Sequence, residues 1–109
     1  MKCLSFREQS DSLDRLLDQK EWVAISCTAE WSGPCRYIAT EFSALAKTFR
    51  EVLAIEMDTD CNPETVLALG IASLPTVLMY RRGQELQRFV GMNACREWAC
   101  TFANQGIDS

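Results

Sequence analysis

The sequence predicts an α/β fold: a central mixed sheet of four or five strands with helices on both faces. Three observations predict it. Residues 22–28, WVAISCT, form a β-rich and largely apolar run of the kind that fills a strand buried on both sides. Ile38, Phe42, Leu45 and Phe49 then recur at steps of four, three and four, which is one stripe of a helix. The last third reads as two strands around Arg82-Gly83 followed by a second amphipathic helix. Strand–helix–strand alternation closed by a hairpin and a helix places helices on both faces of one sheet.

The elements follow in order. Leu13, Leu16 and Leu17 fall at helical spacing within residues 11–20, after Ser10 or Asp11 as the cap. The apolar strand 22–28 leads into a loop, Ala29-Glu30-Trp31-Ser32-Gly33-Pro34-Cys35, that opens the striped helix. Residues 52–58 read as the next strand. Asn62 caps a short helix whose first position is Pro63, where the missing N–H costs nothing, and Gly70 ends it. Residues 76–80 and 86–90 form the hairpin. The last helix runs from about 93 to 105, with Cys95, Trp98, Ala99 and Phe102 on one face.

A chain of 109 residues is expected to form one domain, residues 1–109. Hydrophobic residues at 48% and charged residues at 24% describe an ordinary globular core and surface. A net charge of −4, with no basic cluster beyond Arg81-Arg82, argues against a nucleic-acid or anionic-membrane surface. No apolar run reaches the length of a membrane span, and Met1-Lys2-Cys3-Leu4-Ser5 lacks the apolar stretch of a secretory leader, so the expected compartment is cytoplasmic.

Histidine is absent, which excludes a His general base, a Cys–His dyad and a mixed Cys/His zinc site. The six cysteines, at positions 3, 27, 35, 61, 95 and 100, include no Cys-x-x-Cys pair. Free thiols in a reducing compartment are the expectation, with no metal, no iron–sulfur cluster and no cofactor.

Trp31-Ser32-Gly33-Pro34-Cys35 resembles the Trp-Cys-Gly-Pro-Cys motif of the thioredoxin family, with one substitution. The resemblance extends to Ala29-Glu30, to Asp60-Cys61-Asn62-Pro63, and to Gly70-Ile71-Ala72-Ser73-Leu74-Pro75-Thr76. It implies a thioredoxin fold with a cis bond between Leu74 and Pro75. It also implies a substrate groove built from Trp31, Gly33, Pro34, Leu74, Pro75 and Gly91. In that family the first cysteine attacks a substrate disulfide and the second resolves the mixed disulfide. A helix N-terminus favours the thiolate that does so.

This chain departs from the pattern at three places. Ser32 stands where the nucleophile would be, and a hydroxyl with no partner base is a poor nucleophile. Ser26 occupies the position of the family's buried acid, and Glu56 aligns with a lysine. Three changes in one proton-transfer apparatus point to divergence more than to a single disabling substitution. Cys35 is the remaining site thiol, expected one turn into the helix, buried, and slow towards alkylating reagents. Ser32 is expected to cap that helix with its hydroxyl on the first-turn N–H groups. Cys61, in a loop near the site, is the candidate auxiliary thiol. Cys27 and Cys95 read as core residues, and Cys100 as the solvent-facing thiol.

Three functions follow. One is a restricted thiol–disulfide oxidoreductase in which dithiol reduction is impaired or lost and Cys35 acts alone through mixed disulfides. The second is a redox-independent binding module that uses the groove. The third is an engineered Cys-to-Ser variant of an active reductase. The implied partner is a protein thiol, disulfide or binding segment, with a thioredoxin reductase as a candidate redox partner and a monomer as the expected state.

Overall fold

The computed structural model describes residues 3–106, and its core begins with the apolar run read above. In chain order the elements are β1 (Leu4–Phe6), α1 (Leu13–Leu17), β2 (Trp22–Thr28), α2 (Gly33–Thr48), β3 (Val52–Asp58), α3 (Pro63–Leu69), β4 (Thr76–Arg81), β5 (Gln84–Val90) and α4 (Ala94–Gly106). The strands form one sheet in the order β1-β3-β2-β4-β5. β1 and β2 run parallel to β3, whereas β4 is antiparallel to both β2 and β5. The mixed sheet expected from the sequence is therefore present with five strands.

Alternation along β2 sends its side chains into two cores. Trp22 and Ala24 join Val77, Met79 and Phe89 under Ile38 and Phe42 of α2 and Trp98 and Phe102 of α4. Val23, Ile25 and Cys27 face the other way, onto Leu16 and Leu17 of α1 and the margin of α3. Trp98 is fully buried, donates its indole N–H to Leu78 O at 3.2 Å, and stacks on Phe102 with centroids 5.1 Å apart. Its polar atom is satisfied, so the whole ring contributes apolar burial. The hairpin turns through Arg82 (φ 53°) and Gly83 (φ 83°), and Gly70 ends α3 in the left-handed region at φ 68°.

Three local expectations are corrected. β1 has no counterpart in the sequence reading; it pairs only three residues, Leu4, Ser5 and Phe6, with β3. The cap of α1 is Ser12, whose Oγ accepts from the Arg15 N–H at 3.4 Å, in place of Ser10 or Asp11, and the helix covers only 13–17. Asn62 occupies the cap position of α3 but makes no side-chain cap bond. Its fully buried amide instead donates to Phe6 O and Asp58 O, and its Oδ1 accepts from the Glu8 N–H. A residue unable to do this leaves buried backbone groups unpaired, at about 1–3 kcal/mol each.

The cap that Asn62 does not provide comes from Glu8. Its carboxylate accepts from Thr65 N–H and Thr65 hydroxyl, both at 2.8 Å, and from Glu64 N–H at 3.3 Å. Burial alone would push the Glu8 carboxyl up, but these three bonds outweigh it and hold it below the ordinary value. A depressed carboxyl contributes stability that is present above its unfolded pKa and lost as pH falls through the folded one. We therefore expect acidification below about pH 5 to cost the native protein more stability than it costs Glu8→Gln. Urea unfolding at a series of pH values checks this; parallel curves for the two proteins would contradict it.

Candidate functional site

Two helix and strand ends meet to make the site. β2 is paired on both sides, so its C-terminal end is fixed, and Ala29 to Ser32 carry the chain from there into α2. Ser32 holds the N-cap position of α2 at φ −95°, ψ 119°, and Pro34 sits in the first turn. Ser32 O accepts from the N–H groups of Cys35 at 3.2 Å and Arg36 at 3.3 Å. The expected capping by the Ser32 side chain is absent: its hydroxyl makes no bond to the first turn. Ser32 lies instead on the wall of a groove, and the backbone bonds through its carbonyl hold the turn.

That groove, about 330 Å³, runs between Trp31 and Ser32 on one side and Ile71, Ala72, Ser73 and Leu74 on the other, with Thr59 and Val66 as floor. The Leu74–Pro75 bond is cis, as the family resemblance implied. Pro75 O accepts the Gly91 N–H at 2.9 Å, which joins the 70–76 loop to the turn before α4. Gly91 adopts φ 102°, a conformation that a side chain at this position would strain. Trp31 is 71% exposed, and its indole N–H donates to Asp60 Oδ2 at 3.0 Å. Gly33 and Pro34 are exposed beside it.

Cys35 does not share that groove wall. It is 2% exposed and lines a separate cavity of about 150 Å³, together with Thr28, Ala29, Glu30, Arg36, Ala39 and Asp58. Ser26 is buried in β2, with Glu56 directly across on β3 and Val77 on β4. A hydroxyl and an acid thus occupy the positions read as acid and lysine. Cys61 is half-buried in the turn before α3 and forms no part of the groove wall, although Thr59, two residues earlier, does. The structure therefore brings Trp31, Ser32 and Leu74 together, sets Cys35 behind them, and leaves Cys61 aside.

Sequence reading did not single out Asp58, which lines the Cys35 cavity. The alternation of β3 gave the signal, since Asp58 falls on the same face as Val52 and Ala54, towards α2, and opposite Thr28.

An α/β sheet with this strand order, a cis-proline loop and a helix N-terminus across a groove defines a thioredoxin-fold domain. A family model described as Thioredoxin matches residues 5–102. Thioredoxin H1 of Arabidopsis thaliana is 33% identical over 89 residues, which cover 82% of this chain and 78% of that protein. A thioredoxin of Geodia cydonium is 40% identical over 68 residues, covering 62% and 64% respectively. Among solved structures, a Plasmodium falciparum thioredoxin superposes with a TM-score of 0.83 at 27% identity, over 91% of this chain and 98% of that one. A Trypanosoma brucei brucei thioredoxin, at 23% identity, shares the fold with a TM-score of 0.84 over 99% and 93%. The chain belongs to the thioredoxin family.

The other thiols separate by environment. Burial pushes both Cys27 and Cys95 up to about 12. Cys100 is exposed on α4. In the native protein, iodoacetamide should label Cys100 first, while Cys27 and Cys95 label only after unfolding. Timed alkylation with peptide mass mapping measures this, and early labelling of Cys27 or Cys95 would contradict the packing described.

Proposed function

We propose that the protein holds a protein thiol or disulfide segment in the groove between Trp31 and Leu74 and no longer runs a dithiol cycle. Residual exchange passes through Cys35 alone as a mixed disulfide. The observation that carries this reading is the division of the helix N-terminus: Ser32 lines the groove, and Cys35 lies one turn in, behind it. A disulfide seated in the groove meets a hydroxyl, which forms no stable bond to sulfur and has no histidine to activate it. No intramolecular disulfide can then release a captured partner.

Exposed apolar groups around the groove support a macromolecular partner. Trp31, Val90 and Met92 are each at least half exposed and lie on or next to the segments that carry the groove. Tryptophan and methionine suit such contacts, since one offers a large rigid face and the other an adaptable one. On this reading the protein works as a single-domain monomer in a reducing compartment, the cytoplasm, with a thioredoxin reductase as a candidate redox partner.

A second reading, redox-independent binding through the same groove, is favoured by one observation, the 2% exposure of Cys35. The two are separated by incubating the protein with a disulfide-bearing protein such as insulin and dithiothreitol. The proposal expects no catalytic acceleration over dithiothreitol alone and, in a second incubation with insulin but without dithiothreitol, a Cys35 adduct that is absent from Cys35→Ser. Multiple turnovers by the unaltered chain would contradict the loss of the dithiol cycle. Tight partner binding with no Cys35 adduct would establish the second reading in place of the first.

A further inference from the structure

Glu85 and Arg88 stand three residues apart on β5, a spacing that puts side chains on opposite faces of a regular strand. Here both lie on one face. Glu85 pairs with Tyr80 and Arg88 with Leu78, two β4 residues of the same core, because Leu86 is an extra residue in the ladder at the Met79–Tyr80 step. The bulge leaves Leu86 half-exposed and brings the two charges together. Arg88 Nε donates to Glu85 Oε2 at 2.6 Å, and Nη2 donates to Oε1 at 2.8 Å. A two-pronged contact of this kind holds the guanidinium in one orientation.

So oriented, Arg88 reaches the end of α3. Nη2 donates to Leu69 O at 2.9 Å and Nη1 to Gly70 O at 3.1 Å, carbonyls at a helix end where the helix supplies no partner. The residues that follow, 71–74, form one wall of the groove. α3 has no fully buried residue and meets the core through partly buried Val66 and Leu69, so packing alone holds this segment loosely. Among the described residues, Arg88 makes the only side-chain hydrogen bonds that reach residues 66–74 from outside the segment 62–76. Gly91 ties the far end of the wall through Pro75 O. Both anchors thus come from one short stretch, 88–91.

We propose that Arg88, oriented by Glu85, is the positioning residue of the groove: it fixes the wall 71–74 at the separation from Trp31 and Ser32 that a partner segment requires. This rests on the reading that the groove holds a protein segment. Arg88 lines neither the groove nor the Cys35 cavity, and its effect passes through the Leu69 and Gly70 carbonyls. Its loss frees one wall to move while every groove-lining side chain stays in place. The atom at position 32 is untouched. The effect therefore falls on protein partners, which must fit between both walls, and not on small disulfides, which need only a thiol.

The test uses a Ser32→Cys, Cys35→Ser background, in which the thiol introduced at position 32 reports from the groove and traps its mixed disulfide. Adduct formation at that position is timed by mass mapping with insulin and with hydroxyethyl disulfide. Adding Arg88→Ala should lower the insulin rate about tenfold, as loss of a charged hydrogen-bonding group does, and leave the hydroxyethyl disulfide rate within about twofold. Arg88→Lys and Glu85→Gln should each fall between, since one ammonium cannot serve a carboxylate and two carbonyls at once. Arg81→Ala removes an ion pair with Glu21 at the hairpin end of the same sheet and should change neither rate. In the chain with Ser32 and Cys35 intact, the Gly70 and Ile71 amides, bonded to Leu67 O and Val66 O, should exchange with solvent about tenfold faster in Arg88→Ala, with β2 amides unchanged by NMR. An unchanged insulin rate in both Arg88 variants would overturn the assignment. So would equal losses with the two disulfides, an equal loss in Arg81→Ala, or faster exchange throughout the sheet, since Arg88 would then serve general stability. If the background itself reacts no faster with insulin than with hydroxyethyl disulfide, the groove reading falls and takes the assignment with it; faster exchange at Gly70 and Ile71 would then mark a tie that serves the fold alone.

Discussion

Everything at the site depends on the burial of β2 on both faces and along both edges. Its residues from Trp22 to Cys27 are all buried, Val23, Ala24, Ile25 and Cys27 completely, and backbone pairing to β3 and β4 leaves neither edge open. A strand so placed cannot slip by one residue without exchanging the two cores, because alternate side chains serve opposite faces. Fixing β2 fixes the point at which the chain leaves the sheet, and a short loop then delivers it to α2. The position of the Ser32 cap is thus set by apolar packing remote from any chemistry.

Given that frame, one turn of helix decides what faces what. Residues three apart on a helix lie on one side but a turn apart in height, so positions 32 and 35 cannot present their side chains equally to a groove at the helix end. Here the outer position carries oxygen and the inner one carries sulfur. The cis-proline loop, the Gly91–Pro75 bond and the exposed Trp31 keep the groove in shape whatever atom stands at position 32. Binding and covalent chemistry are therefore separable in this fold, and the proposed function assigns the chain the first with only a reduced form of the second.

Much of this is legible in the sequence, for identifiable reasons. The continuous apolar run of β2 and the stripe Ile38, Phe42, Leu45 are long enough for periodicity to speak, and both lie in the structure where the pattern puts them. The Leu74–Pro75 cis bond comes from resemblance, since local composition does not specify it. β1 is illegible because three residues with a single buried side chain carry no periodic signal. Asn62 has the sequence of a cap and the role of a brace, a choice made by its buried partners at Phe6 and Asp58, far off in the chain or across a turn. Ser32 similarly has the composition of a side-chain cap, but its conformation leaves the hydroxyl free of the first turn. The alternation of β3 gives the face on which Asp58 lies, but its place beside the Cys35 cavity also depends on cross-strand register with Thr28, which no local window contains.

The central claim of the proposed function is that the backbone frame of a dithiol site persists with oxygen at position 32, where the first sulfur would stand. Restoring that sulfur tests it most directly. Ser32→Cys should oxidise with diamide to a form that has lost two hydrogens, with the introduced thiol joined to Cys35 in the tryptic peptide map and the other cysteines still free. A Ser32→Cys protein that folds normally yet leaves Cys35 reduced, or joins it to one of the five other native cysteines, would contradict the claim.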